Sequence, residues 1–388
     1  MKEDQLIAEL RVALDRAAGN YDRPGGGWPA IERRLRREPW RRAAVCGIAA
    51  VMVAAAVVAA PGLWHSLQRS FGGRPLPAQV LVGRLVVVSK EHFRQGLTAV
   101  AAGQNAVWAG GVGVIYRLDP ATGRVAARIT TPGTSVYSEL AIGAGAVWVT
   151  APDRSGLYRI DPSRNRVTAF IHVPGSPQGV AVANGLVWVA QVRSSGSVLR
   201  VNPGTDHVTG RPIPVGEGTK RIVAGVGALW VTNNYSGVTR IDPATGTVTA
   251  SWPGVPDVAA VGAGSLWVAG TVGQSALAPY ENPAVQRVDP RTGRVTATIA
   301  VPRASDIVFW HGSAWVLTVP PSSSGIVYNP EPGRSGYVVR IDPVSNRVVG
   351  TRIPVARLPY TIAAGPTGLW VVDYNATLIH LGLASNRG

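Results

Sequence analysis

A single cysteine, Cys46, stands in 388 residues. That excludes an intramolecular disulfide and any cysteine-based metal site. Lysine occurs only as Lys2, Lys90 and Lys220, although Lys and Arg together number 38. Arginine therefore carries the basic charge. With 15% charged and 46% hydrophobic residues, the chain does not have a disordered composition. The 46 glycines follow no G-X-Y period, which excludes collagen. No glycine-rich phosphate loop stands between a strand and a helix, and no GH…WD pattern appears. Abundant Ala, Gly and Arg beside so little Lys points to high-GC, bacterial coding.

Long apolar runs are also scarce, with one exception. Residues 43–60 are uncharged, and "PGLW" extends the run to Trp64. A 22-residue helix reaches about 33 Å, enough for a bilayer core of about 30 Å. Arg33, Arg34, Arg36, Arg37, Arg41 and Arg42 precede it, whereas the next charges after it are Arg69 and Arg74. The positive-inside rule then puts the N-terminus in the cytoplasm and residues 65–388 outside the plasma membrane. Trp40 and Trp64 mark the two interfaces. A cleaved signal peptide is the competing reading, but 42 preceding residues are long for its basic region, and Pro61 after Ala59–Ala60 obstructs cleavage. A buried core helix leaves the polybasic flank without a role.

Residues 1–42 are expected to form a short helical tail. Leu6, Ile7, Leu10 and Leu14 share one helical face, "RPGGG" interrupts, and Pro29 can begin a second helix. The layout resembles the short cytoplasmic parts of membrane-bound anti-sigma factors of high-GC bacteria. That implies docking of a cytoplasmic partner, although no His or Cys in 1–42 supports the zinc-binding form. A helix lying on the membrane face has the same pattern.

Beyond a linker at 65–80, the chain repeats over 81–388. A small-apolar-Trp unit recurs at Trp108, Trp148, Trp188, Trp230, Trp267, Trp315 and Trp370, at spacings of 40, 40, 42, 37, 48 and 55. Six repeats follow it with Arg-apolar-Asp/Asn-Pro, beginning at Arg117, Arg159, Arg200, Arg240, Arg287 and Arg340. Val, Ile, Thr and Trp favour strands, and Gly, Asn, Asp and Pro mark turns. Four strands per unit of about 40 residues read as a propeller blade. The expected fold is all-β, a seven-bladed β-propeller. The seventh repeat lacks a fourth strand, and residues 83–96 ahead of the first repeat can supply it, closing the ring and removing exposed edges.

"LWVTN" (Leu229 to Asn233) with "RIDPATG" after it resembles YVTN-type repeats and the virginiamycin B lyase-like, or streptogramin lyase-like, propellers. The resemblance covers about residues 80–388 and rests on scaffold residues. It implies a C–O lyase using His and Glu around Mg2+, with a general base and a metal to hold developing negative charge. Of the six histidines only His92 is placed to reach the loop face, so the paired His of such lyases is not visible.

The scaffold residues read structurally. The Trp packs between sheets, and Asp-Pro opens a turn with the Asp as acceptor. Asn202 in one blade suits an acceptor better than a charge. Site residues are sought where the repeats differ, at the loops leading into each blade. Ten residues before each Trp stand Thr98, Ser138, Gln178, Lys220, Asp257, Ser305 and Tyr360; nine before it stand Ala99, Glu139, Gly179, Arg221, Val258, Asp306 and Thr361. Seven before it, Ala recurs in five blades, as a crowded axis requires. Ser138, Glu139, Gln178, Lys220, Arg221, Asp257, Asp306 and Tyr360 are the candidates for a zwitterionic or anionic ligand. A solvated pore rim has the same makeup. Glu139, Asp257 and Asp306 suit a hard cation, which Lys220 and Arg221 oppose. Long loops in blades five and six add Tyr280, Glu281, Tyr328 and Glu331.

Residues 65–388 hold 28 Lys/Arg against 15 Asp/Glu, a net +13. Such a surface suits anionic wall polymers or lipid heads, while much of the charge is the repeating Arg. A location outside the membrane disfavours nucleic acid. The expected function is a membrane-anchored, extracytoplasmic scaffold or sensor. It binds a small molecule, wall polymer or protein at its loop face, without catalysis or a cofactor. The alternative is an Mg2+-dependent C–O lyase.

Overall fold

The computed structural model describes residues 53–54 and 85–383, less 104, 137, 193–195, 234–236, 273–283 and 321–332. The chain divides into two units, Met1–Ile48 and Ala49–Gly388, of which the first lies outside the described residues. The expected tail (1–42) and linker (65–80) lie outside them too. So does the expected span (43–64), apart from Val53 and Ala54, which pair in parallel with Leu140 and Ala141. Among the described residues no helix is long and apolar enough to cross a membrane.

Seven antiparallel sheets follow one another along the chain, six of four strands and that of blade two with Val53–Ala54 as a fifth, parallel strand. Their innermost strands are Leu97–Ala102, Leu140–Gly143, Pro177–Ala183, Thr219–Gly225, Gly254–Gly262, Ala304–Trp310 and Pro359–Gly365, in blades one to seven. Each inner strand contacts the next, and the seventh contacts the first, so the ring is closed. Closure occurs where the missing fourth strand predicts it. Leu85–His92 pairs antiparallel with Thr377–Leu383 as the outermost strand of blade seven. Inner and second strands are apolar and buried on both faces. Outer strands such as Arg166–His172 alternate, with one face in water.

The repeat motif becomes a row across three strands. In blade two Ala141 opposes Trp148, which opposes Arg159. Blade three repeats this with Ala181, Trp188 and Arg200, and blade four with Val223, Trp230 and Arg240. Directly opposed residues share a sheet face. The recurrent alanine thus shares a sheet face with the indole, a place that Val223 takes in blade four and Val308 in blade six. The indole N–H donates to an inner-strand carbonyl five residues back, as in Trp148 to Gly143 (3.0 Å) and Trp230 to Gly225 (3.0 Å). Each ring packs into the next blade: Trp148 clusters with Val187 and Val189, Trp267 with Val316 and Ile341. Truncating one buried Trp costs about 3–5 kcal/mol.

The arginine covers the ring and reaches onward. Guanidinium carbons lie 5.3–5.9 Å from the indole in blades two, four, five and six, within cation–π range. Arg159 donates to the Pro203 carbonyl of blade three (2.9 Å), and Arg287 to that of Pro343 in blade six (2.7 Å). Blade seven has His380 in this place, stacked on Trp370 at 4.0 Å and 3°. Burial holds its imidazole below the ordinary value.

Turns at the opposite face follow from sequence. Ala144–Gly145, Asn184–Gly185, Val226–Gly227, Ala263–Gly264 and His311–Gly312 all have two positive φ angles, the tight hairpin turn that fits strand twist. The Asp-Pro turns use the carboxylate as expected. Asp119 accepts from the amides of Ala121 (2.9 Å) and Thr122 (2.8 Å), and Asp289 from those of Arg291 and Thr292. Asn202 accepts from Gly204 at 2.8 Å in the same way.

These bonds set an acid limit. Backbone donors hold Asp119, Asp289 and Asp342 below the ordinary 3.8, and Asp161 is lowered foremost by the Ser163 hydroxyl, then by Arg164. A folded pKa below the unfolded one gives stability that is present above 3.8 and lost as pH falls further. Replacing all four by Asn, as the chain itself does at Asn202, is expected to flatten that loss. Urea unfolding between about pH 5 and pH 2 measures it; an unchanged acid limb refutes the assignment.

Candidate functional site at the propeller axis

Each inner strand starts at the loop face, and six of the seven carry a register shift there. The shifts fall between Leu97 and Ala99, Pro177 and Val180, Thr219 and Arg221, Pro256 and Val258, Ala304 and Asp306, and Pro359 and Thr361. The bulged residues include Thr98, Gln178, Lys220, Asp257, Ser305 and Tyr360, six of the seven that stand ten before a Trp. A bulge re-aims the side chains beside it, and here it does so in every blade but the second.

Two of the re-aimed residues, Arg221 and Asp306, meet Glu139 of blade two, whose inner strand has no such shift. Arg221 of blade four is wholly buried, as are Glu139 of blade two and Asp306 of blade six, at 0%, 2% and 1% exposure. Arg221 Nη1 donates to Asp306 Oδ1 at 3.3 Å, and its Nε lies 3.7 Å from Glu139 Oε1. The remaining capacity of the carboxylates goes to inner strands. Asp306 accepts from the Thr361 hydroxyl (2.8 Å) and from the amides of Ile362 (3.1 Å) and Ile307 (2.9 Å). Glu139 Oε2 accepts from the Val180 amide at 3.3 Å. One cluster thus joins the inner strands of blades three, four, six and seven to the residue that leads into blade two. Burial raises the Asp306 carboxyl above its ordinary range, against the pull of Arg221, Thr361 and the two amides.

The other candidates are placed as follows. Ser138 is buried and accepts from the Ser135 amide at 2.8 Å. Gln178 is half-buried, and its carbonyl accepts from Thr150 at 2.9 Å. Tyr360 is buried, with its hydroxyl 3.4 Å from the Val136 carbonyl and its ring 5.9 Å from Tyr374. Lys220 and Asp257 lie in inner strands, but their side chains are outside the described residues, as are Tyr280, Glu281, Tyr328 and Glu331 altogether.

The fold has counterparts among solved structures. No family model matches the sequence, and no curated protein does. Virginiamycin B lyase from Staphylococcus aureus superposes with a TM-score of 0.59 at 16% identity, over 78% of this chain and 99% of that one. Hydrazine synthase from Kuenenia stuttgartiensis gives 0.50 at 18% identity, over 60% and 72%. The chain is a seven-bladed β-propeller structurally similar to virginiamycin B lyase. At these identities the likeness extends to the fold alone.

Mg2+, which that resemblance implies, does not fit the axis. Mg2+ takes oxygen ligands in near-octahedral geometry. Here a fixed guanidinium stands between the two carboxylates, and an ion held by both would have to displace it. Histidines are also elsewhere among the described residues. His92, His172 and His207 are on outer strands, His311 is in an opposite-face turn, and His380 is on a third strand. His92 bonds Thr377 at 2.9 Å, on the outer edge of the loop face.

The sequence reading had Glu139, Arg221 and Asp306 in one row. Thr361 stood in the same row without being read as a partner, and Val180 and Ile362 donate through backbone amides, which carry no residue signal. Arg221→Ala leaves two buried carboxylates without their cation and is expected to cost about 3–5 kcal/mol in denaturant unfolding. The neutral triple variant Glu139→Gln/Arg221→Met/Asp306→Asn should recover most of that. A single variant within about 0.5 kcal/mol of wild type would show the cluster to be a solvated rim.

Proposed function

We propose that this chain is a membrane-anchored, extracytoplasmic propeller that binds a ligand or protein at its loop face without turning it over. The Arg221 guanidinium between Glu139 and Asp306 carries the reading. It fills the centre of the loop face, where a reacting group would need free donors and acceptors, with groups already committed to one another. Recognition then belongs to the surrounding rim, to Lys220, Asp257 and the loops of blades five and six. The apolar run at 43–64 between a polybasic flank and a nearly uncharged exit supports the anchor. "LWVTN" supports kinship with YVTN-type repeats. A basic outer domain favours an anionic partner, such as a wall polymer or an acidic protein surface. The short N-terminal segment supplies a cytoplasmic side through which binding is sensed.

The second reading is an Mg2+-dependent C–O lyase. The structural similarity to virginiamycin B lyase favours it; the occupied axis opposes it.

Melting of the full chain is expected to be the same in Mg2+ and in EDTA, with no turnover of virginiamycin B. A metal-dependent shift accompanied by turnover establishes the lyase instead. Protease added to intact spheroplasts should digest the propeller and spare residues 1–42; the reverse pattern overturns the topology.

A further inference from the structure

A second feature of the loop face lies away from the axis, between blades five and six. A cleft of about 260 Å³ opens there. Val301, Val319 and Val339 supply apolar wall, Tyr337 stands at the side, and Arg303 and Arg352 are the two cationic residues of the lining. No Asp or Glu lines it among the described residues.

The repeats show that Arg303 is a departure. Counted back from each Trp it stands level with Ser176 of blade three and Leu358 of blade seven. Its carbonyl accepts from the Val319 amide at 3.0 Å, as theirs accept from Val192 (3.0 Å) and Tyr374 (2.9 Å). Arg303 has φ of +60°, left-handed backbone that glycine adopts without penalty, and neither Ser176 nor Leu358 has a positive φ. An arginine thus occupies a position whose backbone favours glycine, and it lines an apolar cleft that carries a second arginine.

We propose that this cleft binds a small carboxylate with an apolar body. The carboxylate takes the donors of Arg303 and Arg352, and the hydrocarbon lies on the valine wall. The volume suits a molecule of fragment size. Guanidinium geometry matches a planar carboxylate, which two N–H groups can engage together. The site names what the loop face accepts and so rests on the binding reading, but it uses none of the axis residues.

The test is calorimetric titration of the full chain in lipid nanodiscs with hexanoate, against empty nanodiscs. Saturable one-to-one binding is expected, at least ~10-fold tighter than hexanol or inorganic phosphate. Arg303→Gly keeps the left-handed backbone without penalty. It should melt no lower than wild type and yet weaken hexanoate by at least ~10-fold, as should Arg352→Gln. Absence of saturable binding, or unchanged affinity in Arg303→Gly, overturns the site. Phosphate binding as tightly as hexanoate overturns the apolar part of the proposal. A chain that turned over virginiamycin B yet still bound hexanoate would lose the non-catalytic reading and keep this one.

Discussion

Every blade depends on one indole. The ring sits on the second strand, faces an alanine or valine on the first, is covered from the third, and presses into the following blade. That contact dictates the composition around it. Gly225 and Gly262 cannot gain a Cβ, because Val261 and Phe309 of the next inner strands would stand 2.7 and 2.1 Å away. The seam between blades six and seven departs from the pattern. There Trp310 takes the Gly365 carbonyl at 2.9 Å. Trp370, whose own carbonyl that is by position, keeps a buried N–H without a partner. Its stacking on His380 in place of an arginine belongs to the same altered blade. The blade completed by the N-terminal strand is therefore the one whose repeat chemistry is least regular.

The axis obeys a different rule. Seven inner strands converge there, and apolar side chains would satisfy burial equally well, since a buried ion cluster is weak evidence of net stabilisation. What the charges add is direction. Asp306 accepts from two residues of blade seven, Glu139 from one of blade three, and Arg221 lies between them. Each bond is met only in one registration of the bulged strands. The cluster therefore selects among ring arrangements that apolar packing would tolerate.

The architecture was legible because its signals are periodic and local. Trp spacing near 40, Asp-Pro turns and an orphan strand before the first repeat were enough to count blades and to close the ring. The role of Asn202 as an acceptor was legible for the same reason. The axis was only half legible. Counting back from each Trp found Glu139, Arg221 and Asp306, yet it read Arg221 as a cation facing the mouth and opposing a metal. Its burial between two acids depends on bulges and on distances across the ring, which join positions 82 and 85 residues apart. No local pattern encodes that. The alanines were found without the indole that they face, since a row across three strands needs register as well as periodicity. Residues 43–64 carry a signal of composition, and the described propeller is silent on it.

Repetition also changes how a departure is weighed. In a non-repeating fold, an arginine at positive φ beside a cleft is one irregularity among many. Here the other blades are internal controls, built from the same strands. Ser176 and Leu358 stand at the place of Arg303, with the same carbonyl contact and no positive φ, so the presence of Arg303 needs a cause the linker does not supply. Arg159 and Arg287 need none, because the indole and the neighbouring proline carbonyl already account for them. Much of the +16 charge of the chain is scaffold by that criterion. The charges left over, Arg303 and Arg352 among them, stand where the scaffold does not call for them. Functional residues in a propeller of this kind are those that remain after the repeat has been subtracted.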